Sequence, residues 1–90
     1  MKVIVTDHYE SRFSKRGLKG NYQKVAERAY KLGRVRVNGE WIMATEWFGN
    51  TCWGSPIGEK TIWFGGYQFK TRYDKYAQEI IVTTVVLQYE

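Results

Sequence analysis

Ninety residues are enough for one domain with one hydrophobic core and too few for two. A hydrophobic share of 43%, an aromatic share of 17% and a single proline exclude a disordered chain or a proline-rich linker. The net charge of +5 is unevenly spread: Met1 to Arg36 carries ten Lys/Arg against three carboxylates (+7), and the remainder four against six (−2).

Val3 to Thr6 is a short β-type run, suited to an added edge strand, and it leads straight into a helix. Asp7 followed by Glu10 has capping-box form with an acidic N-cap, and Gly17 is the residue type that closes a helix in the left-handed conformation. At about 100° per residue, His8, Arg12, Lys15 and Arg16 share one face, with Tyr9 and Phe13 forming the adjoining apolar stripe. The plain reading of such a face is a solvated basic edge. Its composition supports a sharper one, because two arginines one turn apart offer planar forks for phosphate oxygens. His8 beside them adds the one imidazole of the chain, a side chain able to accept or give a proton.

Lys19-Gly20 separates this helix from a second, over Tyr22 to Leu32, with Asn21 as N-cap and Gly33 at the C-terminal stop; Lys24, Arg28 and Lys31 fall on its outer face. From Arg34 the period becomes two. Arg34 and Arg36 alternate with Val35 and Val37, Asn38-Gly39 is the strongest two-residue hairpin signal, and Glu40 to Phe48 reads as the returning strand. A type I′ turn pairs Val37 with Glu40 and Val35 with Ile42. Gly49 to Glu59 has turn residues and no period, so it reads as the longest loop; with Cys52 and Trp53 in it, a functional flap is the sharper reading and a hairpin excursion the plainer one.

Lys60 to Arg72 reads as one long strand bent at Gly65-Gly66, in preference to two short strands turned by that pair. Tyr73 to Tyr76 is the next turn, and Glu79 to Gln88 has the apolar density of a central strand. Thr83-Thr84 interrupts it, and strict alternation puts one threonine toward the core and the other away. Trp41, Trp47, Trp63, Tyr67 and Phe69 are either base-stacking platforms or core, with core packing the default. The fold class expected from these elements is α+β: a single domain, 1–90, with two N-terminal helices packed on an antiparallel sheet of about four strands.

No stretch resembles a phosphate-binding glycine loop or a Ser-His-Asp arrangement, and one histidine with one cysteine does not make a zinc site. No metal or other cofactor is expected. Nor is a membrane: no apolar run is long enough to span one, and with no apolar leader the lone Cys52 points to a reducing cytoplasm. A basic half joined to a slightly acidic one fits a polyanion met on one side, most commonly nucleic acid. Lys15, Lys19, Lys24, Arg28, Arg34 and Arg36 are its candidate contacts, and a merely soluble basic protein is the bland alternative.

His8-x-x-x-Arg12-x-x-x-Arg16-Gly17-Leu18, a second helix, a strand meander and a terminal Ile81-Val82-Thr83-Thr84-Val85 together resemble a small, largely uncharacterised bacterial and phage family. Its members begin with a His-Ala-x-x-Arg-x-x-x-Arg-Gly-Ile helix and end on an Ile-Val-Thr-Val strand, and it is grouped with the barnase, EndoU, colicin and RelE nucleases. The resemblance spans nearly the whole chain. This sequence departs from the pattern with Tyr9 at a small-residue position, a doubled threonine and the Gly49 to Glu59 insertion.

The resemblance implies a toxin-like, metal-independent endoribonuclease. In that reading His8 is general base or acid at a ribose 2′-hydroxyl, Arg12 and Arg16 hold the scissile phosphate, and Thr84 or Thr83 is a hydrogen-bonding partner. Cleavage through a cyclic phosphate also needs a second acid, for which only Tyr or Lys side chains are available. The alternative is a non-enzymatic phage or mobile-element module that binds nucleic acid or inhibits a host protein. The expected partners are therefore RNA or another nucleic acid, and an antitoxin or host protein.

Overall fold

The computed structural model describes residues 1–50 and 54–89. Its elements in chain order are β1 (Lys2–Val5), α1 (Asp7–Lys15), α2 (Tyr22–Leu32), β2 (Arg34–Val37), β3 (Glu40–Met43), α3 (Ala44–Gly49), β4 (Ile57–Phe64), β5 (Tyr67–Asp74) and β6 (Glu79–Leu87). Six strands form one sheet in the order β1-β6-β5-β4-β2-β3. The class is α+β, as expected, but the sheet has six strands rather than about four. It is mixed rather than antiparallel, because β1 runs parallel to β6.

Four local outcomes differ from the sequence reading, each for a physical reason. Thr6, not Asp7, caps α1: its side chain accepts from the Tyr9 amide at 3.1 Å while Asp7 occupies the first helical position. Glu40 to Phe48 is not one strand, because Ala44, Trp47 and Phe48 have helical spacing and are all buried. Gly65 and Gly66 both have left-handed φ, +61° and +83°, and turn β4 into β5 instead of bending one strand. Finally, Val82 and Val85 are both fully buried although three residues apart, which a regular strand forbids. A bulge resolves this: Lys70 pairs with Thr84 and Thr71 with Val82, so Thr83 is the additional residue and neither threonine enters the core.

The Asn38-Gly39 turn forms as read, with both φ positive and Val37 opposite Glu40 and Val35 opposite Ile42. Gly33 ends α2 without adopting a left-handed φ. A side chain there would collide with the Ala29 carbonyl and the Ile62 side chain, so glycine is required by close helix-to-sheet approach. The flap reading of Cys52 and Trp53 lies outside the described residues.

All three helices pack on one face of the sheet: α1 against β6, α2 against β1 and β4, α3 against β2 and β3. Tyr9 and Phe13 from α1, Ala26 and Ala29 from α2 and Trp47 and Phe48 from α3 meet Val35, Ile62, Phe69, Tyr73, Ile80, Val82 and Val85 from the strands. The Tyr9 ring packs on Phe13 and Phe69 and its hydroxyl donates to the Tyr22 carbonyl at 2.9 Å, locking α1 to α2. Burial pushes that hydroxyl's pKa above the ordinary tyrosine value. Among the described residues no helix is long and apolar enough to cross a membrane.

Candidate nucleic-acid interface

The histidine turn is positioned by the end of β1. Thr6 caps α1 and also donates its hydroxyl to the Thr83 carbonyl at 3.0 Å, so the first turn of α1 starts beside the β6 bulge. Tyr9 and Phe13 occupy the docked side of α1. His8 and Lys15 are exposed, while Arg12 and Arg16 are half-buried on the same turn-to-turn row, with the Arg16 carbonyl accepting from the Tyr67 hydroxyl. Thr84 sits opposite Lys70 and alternates with the buried Val85, which turns it toward the sheet face that carries no helix. The backbone therefore brings the His8 turn alongside the Thr83-Thr84 bulge, while the Thr84 side chain belongs to the uncovered face.

That uncovered face holds a constellation the sequence reading only half identified. Register and alternation place Arg34 and Arg36 of β2, Trp41 of β3, Thr61 and Trp63 of β4, and Gln68, Lys70 and Arg72 of β5 on it. Trp63 is the centre: it pairs with Gln68 on one side and Arg34 on the other, and its ring meets Trp41 edge to face at 5.6 Å. The Arg36 guanidinium lies over the other indole, 4.8 Å from the Trp41 centroid. Gln68 is held by the Gln88 carbonyl at 3.0 Å and accepts from the Lys70 ammonium at 3.1 Å, which fixes that cation over the sheet.

Across this face runs a trough of about 820 Å³. Arg36, Lys70 and Arg72 line it against one carboxylate, Glu59, a local net charge of +2. Among the described residues no carboxylate forms an ion pair with Arg34, Arg36, Lys70 or Arg72. Cations free of carboxylate partners on a concave surface concentrate field toward an anion.

Of the cations expected to bind nucleic acid, Arg34 and Arg36 belong to this face, whereas exposed Lys24 and Arg28 lie on α2, on the opposite side of the sheet; exposed Lys19 lies between α1 and α2. Lys70, Arg72 and Gln68 were missed. Their signal was present as a period-two alternation with Phe69, Thr71 and Tyr73, hidden by reading β4 and β5 as one bent strand. Among the aromatics, Trp47 and Phe69 are core as the default held, and Trp41 and Trp63 are not.

Two further lysines have structural work. The Lys60 ammonium donates to the Arg36 carbonyl at 3.0 Å and stands 4.7 Å from the Trp47 centroid, and its burial lowers its pKa from the ordinary lysine value. Lys75 is buried, donates to the Asn50 carbonyl at 2.9 Å and covers the same ring at 4.1 Å. Among the described residues no three His, Cys, Asp or Glu side chains are grouped to hold a metal ion.

Fold and surface together define a two-layer α+β domain with one sheet face that no helix covers among the described residues, cationic and tryptophan-bearing. Comparison with family models, curated proteins and solved structures finds no match to this chain.

Proposed function

We propose that this protein is a small RNA-interacting module that holds its partner on the open sheet face. The observation that carries this reading is the row of Arg34, Arg36, Lys70 and Arg72 flanking Trp63 and Trp41 where no helix covers the strands. Guanidinium and ammonium groups neutralise phosphates, and tryptophan offers a face to any base. Thr61 and Thr84 add hydroxyls on the same face, of use against a ribose 2′-hydroxyl. A reducing cytoplasm, inferred from the lone Cys52, is where such an RNA would be met.

The test is RNA binding by fluorescence anisotropy across a salt series. Each phosphate contact contributes roughly 0.7 to the slope of log affinity on log salt for a single strand, so Lys70→Gln with Arg72→Gln should flatten it by about 1.4. An unchanged slope refutes the reading. Affinity absent at every salt concentration supports instead a protein that acts on a host protein or an antitoxin.

A second reading, metal-independent cleavage by His8 with Arg12 and Arg16, draws support from the Thr6–Thr83 hydrogen bond that sets the His8 turn beside the bulge; the Thr84 side chain, on the other face of the sheet, takes no part in it. It is tested by incubating mixed RNA with the protein in chelator. Cleavage that vanishes in His8→Ala and in Arg12→Ala supports it; intact RNA beside salt-dependent binding refutes it.

A further inference from the structure

Trp63 is a wall of two cavities on the open face. Beside the cationic trough lies a smaller cleft of about 270 Å³, lined by Trp41, Trp63, Arg34, Gln88 and the Gly65-Gly66 turn. Its size is below the roughly 300–1,000 Å³ of sites that enclose a whole drug-sized ligand, so it suits one planar ring rather than a nucleotide chain. The indoles stand nearly perpendicular, at 83°. A flat group entering that corner stacks on the face of one indole and turns its own edge to the face of the other. The turn at the end of the cleft carries no side chains, and Arg34 supplies a cation beside the stack.

Chain geometry links the cleft to the trough. Residues two apart on a strand are about 6.8 Å from each other, so Lys70 and Arg72 form a short ladder on the scale of one nucleotide of an extended strand. Arg34 and Arg36 form a second ladder two strand spacings away, about 10 Å across the Trp63 row. A duplex keeps its base faces stacked within itself and offers none to a tryptophan corner, whereas an unpaired strand can splay one base out.

Resting on the sheet-face reading, we infer that the ligand is single-stranded RNA with one unpaired base seated in the corner that Trp41 and Trp63 form. Its phosphates follow Arg36, Lys70 and Arg72 along the trough. Trp63 marks the point where backbone tracking gives way to base stacking.

The experiment uses the full chain and a labelled RNA dodecamer in three forms: single-stranded, annealed to its complement, and single-stranded with abasic residues at every position. The wild type should bind the intact strand at least five-fold more tightly than the duplex or the abasic strand, the scale of one aromatic stack. Trp41→Ala, at a residue 47% exposed, should remove that preference. Trp63→Leu should do the same, with thermal unfolding followed by circular dichroism to show that both variants are folded. Equal affinity for intact and abasic strands, or a preference that survives both tryptophan substitutions, overturns the base-stacking inference while leaving sheet-face binding in place. A salt slope insensitive to Lys70→Gln with Arg72→Gln overturns both.

Discussion

Replacing Tyr9 by Phe removes one oxygen from the centre of the molecule and nothing else. The side chain is fully buried, its ring contacts with Phe13 and Phe69 survive the change, and the bond lost is the one from its hydroxyl to the Tyr22 carbonyl. At pH 7 the variant should be less stable by about 1 kcal/mol, the usual net contribution of an internal hydrogen bond. The sign reverses in alkali. Burial raises the Tyr9 pKa in the folded state, so above pH 10 the unfolded chain gives up a proton that the folded one keeps. The wild type then loses up to about 1.4 kcal/mol per pH unit from this group, and the Phe variant does not. Tyr30 and Tyr73, whose pKa values burial also raises, are present in both proteins and cancel in the difference. Urea midpoints at pH 7, 9, 10.5 and 11.5 should show the gap constant up to about pH 10, closing by about pH 11 and inverted beyond. A gap that stays constant from pH 7 to 11.5 refutes the reasoning, because it would mean that the Tyr9 hydroxyl ionises equally in both states.

Capping and packing give three more expectations. Thr6→Ala should cost about 1–2 kcal/mol, since it removes both the α1 cap and the tie to the Thr83 carbonyl, whereas Asp7→Ala should cost under about 1 kcal/mol of helix-dipole interaction; denaturant melts of the pair decide which residue caps the helix. Gly33→Ala should destabilise by about 1–3 kcal/mol in the same assay, because one of the two atoms its Cβ would strike is a backbone oxygen that cannot rotate away. Trp47→Ala should cost about 3–5 kcal/mol in thermal or denaturant unfolding, since it empties the site packed against Phe48 and Tyr73 and uncovers both Lys60 and Lys75.

How far the sequence could be read depended on the range of the interaction. The His8-to-Arg16 row and the span of α2 were legible because helix periodicity is local. The Asn38-Gly39 turn set the β2–β3 register for the same reason, since a two-residue loop leaves one pairing open. Glu40 to Phe48 misled because a Trp-Ile-Met run looks like a strand, and only the joint burial of Ala44, Trp47 and Phe48 shows the change of period. The Thr83 bulge was invisible in the same way: two adjacent threonines have ordinary strand character until Lys70 is known to sit opposite Thr84 and Thr71 opposite Val82.

By itself, then, the order of residues determined the α+β class, the cationic first helix, the capped second one and the tight hairpin. Each is set by contacts within a few positions along the chain. Tertiary structure decided which side of the sheet the helices would cover, and with it whether a strand tryptophan becomes core or surface: Trp47 and Trp63 are alike in sequence character and opposite in fate. The parallel pairing of β1 with β6 and the meeting of Arg34 with Trp63 across β2 and β4 belong to the same category. They join residues tens of positions apart, and such pairings are chosen by the burial of the whole apolar surface at once rather than by any local preference.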